Sequence, residues 1–199
     1  DVYIGEDQRL SINSEVLTAK HFVNASGSQS DRIAHKFKLG MDYSMIPFMG
    51  VYRAVPAGQL PLRCLVYPVP HPLNPFLGVH FTITSDNQVK IGPTAIPILC
   101  REQYGITKGW ALNDIQCTLT GLISMLRHGA HDLPALIRSE WPKVLERTLV
   151  SESSQLVPSV KEIRGWHRKP PGIRSQLIHM PSGKLEQDFI INEDFTSTH

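Results

Sequence analysis

Residues 77–92, LGVHFTITSDNQVKIG, limit the fold more than any other stretch: two short alternating runs are joined by the polar turn Ser85-Asp86-Asn87-Gln88. Period-two alternation broken by turn residues predicts an antiparallel hairpin. Successive strand side chains point to opposite faces. Val79, Phe81 and Ile83 are therefore expected toward a core, and His80, Thr82 and Thr84 on the polar side. The runs IPFMGVYRAV and LRCLVYPV carry the same β-branched and aromatic signature, so residues 45–99 read as a β-rich block. The period then changes. Ile115, Leu119, Leu122, Ile123 and Leu126 fall on one helical face, with Asn113 able to cap the start and Gly129 the end. Further helices are expected near Asp132, with Pro134 in the first turn, and after Pro142. Residues 151–160 read as a polar connection and WHRKPPG (166–172) as a stiff approach. IRSQLIHM, a PSGK turn and LEQDFIIN then form a second hairpin.

The amino-terminal part alternates differently. Residues 1–24 read as short strands joined by turns, and VLTAKHFVNASG (16–27) as an apolar strand ending at Gly27. SDRIAHKFKLG (30–40) predicts a helix with Ser30 at its N-cap and Gly40 just past its end. A strand, a small-residue turn and a helix can hold a cofactor's phosphate or sugar, and are also plain α/β architecture. The dinucleotide fingerprint G-x-G-x-x-G does not occur in the sequence. The chain opens on Asp1-Val2-Tyr3-Ile4 without a methionine and stops after a strand-like run, which leads us to expect a piece of a longer protein.

Composition narrows the function classes. Of 199 residues, 41% are hydrophobic and 19% charged, as in ordinary globular proteins, and the net charge of +2 comes from dispersed lysines and arginines. No basic stripe supports a nucleic-acid partner. Cys64, Cys100 and Cys117 lie far apart with no CxxC pair, so neither a zinc site nor a disulfide framework is signalled, and a reducing compartment fits. His128 and His131 have helical spacing for a metal but no acidic or thiol partner at ligand spacing, so no metal is expected.

Three side chains stand out chemically. His80 sits mid-strand on the polar face; such a histidine is more often structural, but an imidazole titrates near neutrality and makes a general base with little adjustment. Arg174 follows Pro170-Pro171-Gly172-Ile173, where a guanidinium could fork onto a carboxylate or simply lie in solvent. Tyr67, beside the proline-rich segment, could donate to a substrate or pack. Prolines 68, 70, 72 and 75 fix the backbone leading to His80.

LVYPVPHPLNPFLGVHFT, VKIGPTAIPILCREQYG, VNASGSQSDRIAHKFKLGMDYSMIPFMGVY and PPGIRSQLIHMPSGKLEQDFII, in that set and in consistent order, resemble the L-2-hydroxyglutarate oxidase/dehydrogenase branch of the FAD-dependent D-amino-acid-oxidase-like superfamily. The resemblance implies an α+β fold: a mostly antiparallel substrate domain with a helical segment (45–165), flanked by pieces of an FAD-binding α/β domain (1–44 and 166–199). The fingerprint segment and a closing segment would lie outside these residues. It further implies an enzyme that oxidises a 2-hydroxy acid by hydride transfer to FAD. Ala25, Ser26 and Gly27 would approach the cofactor, His80 would act as base, and Arg174, with Tyr67, would hold a carboxylate substrate. The electron acceptor would be oxygen or a quinone, the location cytoplasmic or mitochondrial, and peripheral membrane association is compatible with the branch. Met49 and Val51 depart from a basic residue and a glutamate common in the branch, and Thr94 from an asparagine. Met49 and Thr94 keep open the oxidation of an amine, an amino acid or glycerol 3-phosphate, and the missing glycine fingerprint keeps open a non-catalytic β-rich binding module.

Overall fold

A computed structural model describes residues 2–4, 10–12, 15–17, 19, 21–69, 76–105, 109–129 and 131–192. Its spine is one long antiparallel pair. Strand β4 (Tyr43–Val55) runs beside β8 (His167–His179), from Tyr43 opposite His179 to Ala54 opposite His167. The expected hairpin forms as β5 (His80–Ile83) and β6 (Val89–Gly92), and β6 pairs with the far end of β4. Strand β7 (Ile96–Pro97) also pairs with β4, and β9 (Lys184–Leu185) turns back onto β8, giving the order β5-β6-β4-β8-β9. Strands β1 (Val2–Ile4), β2 (Leu10–Ile12) and β3 (Glu15–Leu17) make a separate three-stranded antiparallel sheet. With helices packed on this sheet the fold is α+β, as expected.

Several stretches differ from the sequence reading; LRCLVYPV (62–69), for one, keeps a single bridge, Val66 to Phe81. WHRKPPG is not a lead-in: most of it lies in β8. Gly50 faces Gly172 and Tyr52 faces Lys169, so Pro170 and Pro171 together stand opposite Val51 alone. A bulge is where a strand accommodates residues that cannot donate to the ladder. Among the described residues of the apolar run 16–27, only its start is a strand. Residues 21–26 have no regular structure and Val23 is 83% exposed. No described strand lies beside them, and an unpaired strand gains no ladder hydrogen bonds. Prolines 70, 72 and 75 lie outside the described residues.

Directly paired residues share a sheet face. On one face, Ile46 and Phe48 of β4 with Ile178 of β8 pack under helix α2 (Leu112–His128) and helix α3 (Leu133–Glu140), joining Phe76, Met125, Leu133 and Leu136 in a core. On the other, Val55, Phe81, Val89 and Ile91 pack with Leu149 of helix α4 (Glu146–Ser153), Val160 and Trp166. Each fully buried aliphatic or aromatic side chain contributes about 1.5–3 kcal/mol. The helices cover only one end of the first face. Its other end, around Gly50 and Tyr52, stays open and forms the site below.

Helix α2 turns a different side to the sheet than its apolar stripe suggests. Asp114, Thr118, Gly121, Ser124 and Met125 are buried, whereas Leu119, Ile123 and Leu126 are 45–56% exposed. Close approach decides this. A Cβ on Gly121 would lie 2.8 Å from Ile46 Cδ1, and Ser124 Oγ donates to the Met180 carbonyl at 2.5 Å. The helix begins after Ala111, not at an Asn113 cap, and ends as expected at a left-handed Gly129.

Helix α1 (Ser30–Lys36) is also shorter than expected. Gln29 occupies the N-cap, and Lys38, not Gly40, takes the first left-handed position after the helix. Its most buried residue is Asp31, which pairs with Arg101 through Oδ1–Nη1 at 2.5 Å and Oδ2–Nη2 at 2.6 Å. Asp31 also accepts the Met45 N–H at 2.9 Å and the Arg32 N–H at 2.8 Å. The Arg101 N–H donates to Asp114 at 3.0 Å, and Arg32 bridges to the same Asp114. This buried network ties α1 to β4, to the loop after β7 and to α2.

Candidate active site

Hairpin register and the β4–β8 pairing together bring His80 and Arg174 to one cavity. It holds about 230 Å³ and is lined by Phe48, Gly50 and Tyr52 of β4, Phe76, Leu77, His80, Pro93, Thr94, Ala95, and Gly172, Ile173 and Arg174 of β8. The two residues lie 94 positions apart in sequence (174 − 80) on different strands. Arg174 pairs with Phe48, and its guanidinium lies 5.4 Å from the centre of the Phe76 ring. Its exposed head makes no ion pair among the described residues.

His80 is held in one tautomer. Nδ1 lies 2.9 Å from the Gly78 carbonyl, which can only accept, so Nδ1 carries a proton and the neutral ring has its lone pair on Nε2. The half-buried imidazole stacks on the Tyr67 ring with centroids 4.5 Å apart and planes 27° apart. The next residue, Phe81, exchanges hydrogen bonds with Val66 at 2.8 and 3.3 Å, fastening the Tyr67 segment to the strand. Pro68 is the described member of the proline cluster, and it packs closely over Gly78. Tyr67 therefore buttresses the imidazole and is not among the cavity-lining residues.

The floor is built by close backbone approach. A Cβ on Gly50 would lie 2.6 Å from Pro93 Cβ, and one on Gly92 would lie 2.6 Å from the Val51 carbonyl and 2.9 Å from the Tyr52 ring. Glycine at these positions lets β4 and the Pro93–Ala95 segment meet at the cavity edge. Thr94 is buried; its hydroxyl accepts the Val51 N–H at 3.0 Å and donates to the Met49 carbonyl at 3.2 Å. The Ala95 N–H is held by Glu140 at 2.8 Å, and Glu140 is itself paired with Lys143 at 2.7 Å. Burial favours neutral Lys143, but its hydrogen bonds and charge pairing with Glu140 and Glu152 prevail and raise its pKa. Burial raises the Tyr52 pKa as well, so the phenol stays protonated as a donor. Met49 and Val51 do not line the cavity.

Ala25, Ser26 and Gly27 form an exposed turn that contributes nothing to this cavity. Ser26 Oγ donates to Asn24 Oδ1 at 2.7 Å, and Asn24 Nδ2 donates to the Ser30 carbonyl at 2.7 Å. Gly27 has φ +59°, and the space where a Cβ would stand is open. An exposed, left-handed glycine turn fits the approach of a cofactor's polar backbone. His128 and His131 have structural roles: His128 Nδ1 donates to the Ser124 carbonyl at 3.0 Å, and His131 Nε2 accepts the Leu185 N–H at 3.1 Å. Among the described residues no three His, Cys, Asp or Glu side chains gather as metal ligands, the described cysteines are free thiols, and no helix is long and apolar enough to cross a membrane.

Sequence reasoning missed Gly50, Tyr52 and Lys90. The hairpin register held a usable signal, because Lys90 pairs with Thr82 and so shares the face of His80. Nothing comparable announced the apposition of β4 and β8.

A family sequence model described as FAD dependent oxidoreductase matches residues 4–190. L-2-hydroxyglutarate dehydrogenase, mitochondrial, of Caenorhabditis elegans is 29% identical over 178 residues, covering 87% of this chain and 39% of the relative. The L-2-hydroxyglutarate dehydrogenase of Escherichia coli K12 is 29% identical over 180 residues, covering 86% and 40%. That of Indibacter alkaliphilus is 31% identical over 185 residues, covering 89% and 44%. The chain thus spans about two-fifths of the length of these relatives. Among solved structures, glycine oxidase of Bacillus cereus aligns with a TM-score of 0.46 at 14% identity, covering 89% of this chain and 36% of that one.

Proposed function

Since this chain belongs to the FAD-dependent oxidoreductase family, on a match that runs from residue 4 to 190, we propose that it forms the substrate-binding part of a flavoenzyme oxidising a 2-hydroxy acid of the 2-hydroxyglutarate type. One observation carries the reading: a tautomer-fixed imidazole and a guanidinium without an ion-pair partner among the described residues line the same cavity. Arg174 takes the substrate's 1-carboxylate in a two-pronged hydrogen bond, which fixes the adjacent hydroxyl-bearing carbon. His80 Nε2 accepts the hydroxyl proton as the C–H bond is oxidised, and the Gly78 carbonyl steadies the resulting imidazolium through Nδ1–H. A base of this kind contributes roughly 10²–10⁴ in rate. Tyr67 keeps the ring from swinging away. Ala25, Ser26 and Gly27 would hold part of the FAD, which supplies the two-electron acceptor for the hydride when bound.

The division into flavin-side pieces (1–44, 166–199) and a substrate side (45–165) belongs to the same proposal, with β8 pairing across the last boundary. Oxygen or a quinone as final acceptor, a reducing cytoplasmic or mitochondrial location, and peripheral contact with a membrane complete it.

The test is His80→Ala in the full-length flavoprotein. Flavin reduction by 2-hydroxyglutarate should fall about 10²–10⁴-fold while the flavin spectrum is retained. Full turnover in that variant removes His80 as the base. Reduction by amino acids or glycerol 3-phosphate alone transfers the site to the alternative substrates, and a full-length protein that carries no flavin supports a binding module.

A further inference from the structure

A second cavity adjoins the first. It holds about 410 Å³, shares Tyr52 and Gly172 with its neighbour, and adds Thr84, Lys90, Lys169, Pro170 and Pro171. Strand register explains why the two meet. Lys169 pairs with Tyr52 two places along β4 from Gly50, and Lys90 lies on β6 two places from Gly92, the partner of His80. Arg174, Tyr52, Lys169, Lys90 and His80 therefore all belong to one sheet face.

The charges on this face are one-sided. Lys90 Nζ stands 4.3 Å from the centre of the Tyr52 ring, and no described carboxylate is within ion-pair distance of Lys90, Lys169 or Arg174. Among the described residues, no acidic side chain lines either cavity. Asp86, fully exposed in the turn between the hairpin strands, has its carboxylate tied into that turn by Thr84 Oγ1 at 2.5 Å and Gln88 Nε2 at 2.7 Å. Asp86 feels the Lys169 charge without pairing to it. The Thr84 hydroxyl, donating to Asp86, is not available as a donor to a ligand. Three cations without an ion-pair partner among the described residues, around two joined cavities, make a site that attracts a dianion more strongly than a monoanion.

We propose that Lys90 and Lys169, with the Tyr52 phenol between the two cavities, form a subsite for the distal carboxylate of a dicarboxylic substrate whose first carboxylate is held by Arg174. This rests on the 2-hydroxy-acid reading for the substrate's identity but not for its charge. Lys90 and Lys169 are flexible point charges that adjust to an acid of five carbons or so. The bulge at Pro170-Pro171 turns the start of β8 so that Lys169 rims the cavity.

The test uses the full-length, flavin-loaded protein and binding, not turnover. Glutarate has two carboxylates and no oxidisable hydroxyl; butyrate has one; inorganic phosphate probes an unspecific anion site. Calorimetric Kd values are measured for wild type, Lys90→Gln, Lys169→Gln and the conservative Lys90→Arg. Glutarate binding should weaken about tenfold in each glutamine variant, recover in Lys90→Arg and leave butyrate binding within about twofold. Wild type that does not bind glutarate, glutarate binding indifferent to both lysines, or equal losses for glutarate and butyrate would each overturn the subsite. Stronger binding of phosphate than of glutarate at these lysines overturns the carboxylate assignment. Lysine-dependent glutarate binding in a protein whose flavin 2-hydroxyglutarate does not reduce keeps the subsite and rejects the reaction.

Discussion

Asp31 offers the sharpest test of how the amino-terminal segment is fastened to the sheet. Its side chain is 3% exposed and that of Arg101 1%, and they meet in two short, parallel hydrogen bonds. Asp31→Asn keeps the shape but removes the charge, leaving the buried Arg101 with the neutral Ser28 carbonyl on Nη1 at 2.7 Å and, as its nearest remaining described carboxylate partner, Asp114 at 3.6 Å from Nε. Breaking a buried pair on one side costs about 3–5 kcal/mol. At roughly 2–4 °C per kcal/mol for a chain of this size, the melting temperature should drop by roughly 6–20 °C. Urea unfolding followed by circular dichroism reads the same loss as a lower midpoint with unchanged slope. The double variant Asp31→Leu/Arg101→Met should lose less than Asp31→Asn, because no charge is then left buried alone.

The pH dependence fixes the mechanism. Burial alone would raise the Asp31 pKa, but the hydrogen bonds and charge of Arg101, with the Met45 and Arg32 N–H groups, hold it below the ordinary 3.8. A depressed folded-state pKa gives stability that is complete above 3.8 and disappears as the pH falls through the lower folded value. Wild type and Asp31→Asn should therefore differ fully at neutral pH and converge in strong acid. A loss under about 1 kcal/mol at pH 7, within the range of an exposed ion pair, or a gap that persists unchanged into strong acid, would refute the reasoning.

Gly50→Ala should push Pro93 outward, since its new methyl would stand 2.6 Å from Pro93 Cβ; we expect about 1–3 kcal/mol of destabilisation and weaker ligand binding by calorimetry, and normal binding would mean that the Pro93 wall moves freely. His131 accepts the Leu185 N–H while neutral, and burial, assisted by Lys184, lowers its pKa. Its contribution should be complete above about 6.5, the unfolded value, and fall away at lower pH. His131→Gln should flatten the slope of stability against pH just below that value, and an unchanged slope would assign the dependence elsewhere.

Much of the scaffold was legible because local chemistry decides it. The 77–92 hairpin follows from alternation and a polar turn, and the end of α2 follows from Gly129, left-handed at φ +61°. The face of His80 follows from strand parity. Where the reading failed, the deciding contacts were remote in sequence. The apolar stripe of α2 pointed to the wrong side because Gly121 meets Ile46, 75 residues earlier (121 − 46), and Asp114 meets Arg32 and Arg101. The proline pair became a bulge because β4 offered it a partner with one residue fewer.

Side-chain identities and short-range geometry thus put an imidazole on a polar strand face and a guanidinium shortly after a proline pair. Whether those two groups meet is a matter of which strands lie side by side, and nothing local fixes that. Pairing β4 with β8 closes a loop of more than a hundred residues, a step whose entropy cost is recovered by burying both sheet faces under helices. The same pairing leaves one end of the sheet open, and that end is the cavity where His80, Arg174 and the two lysines converge.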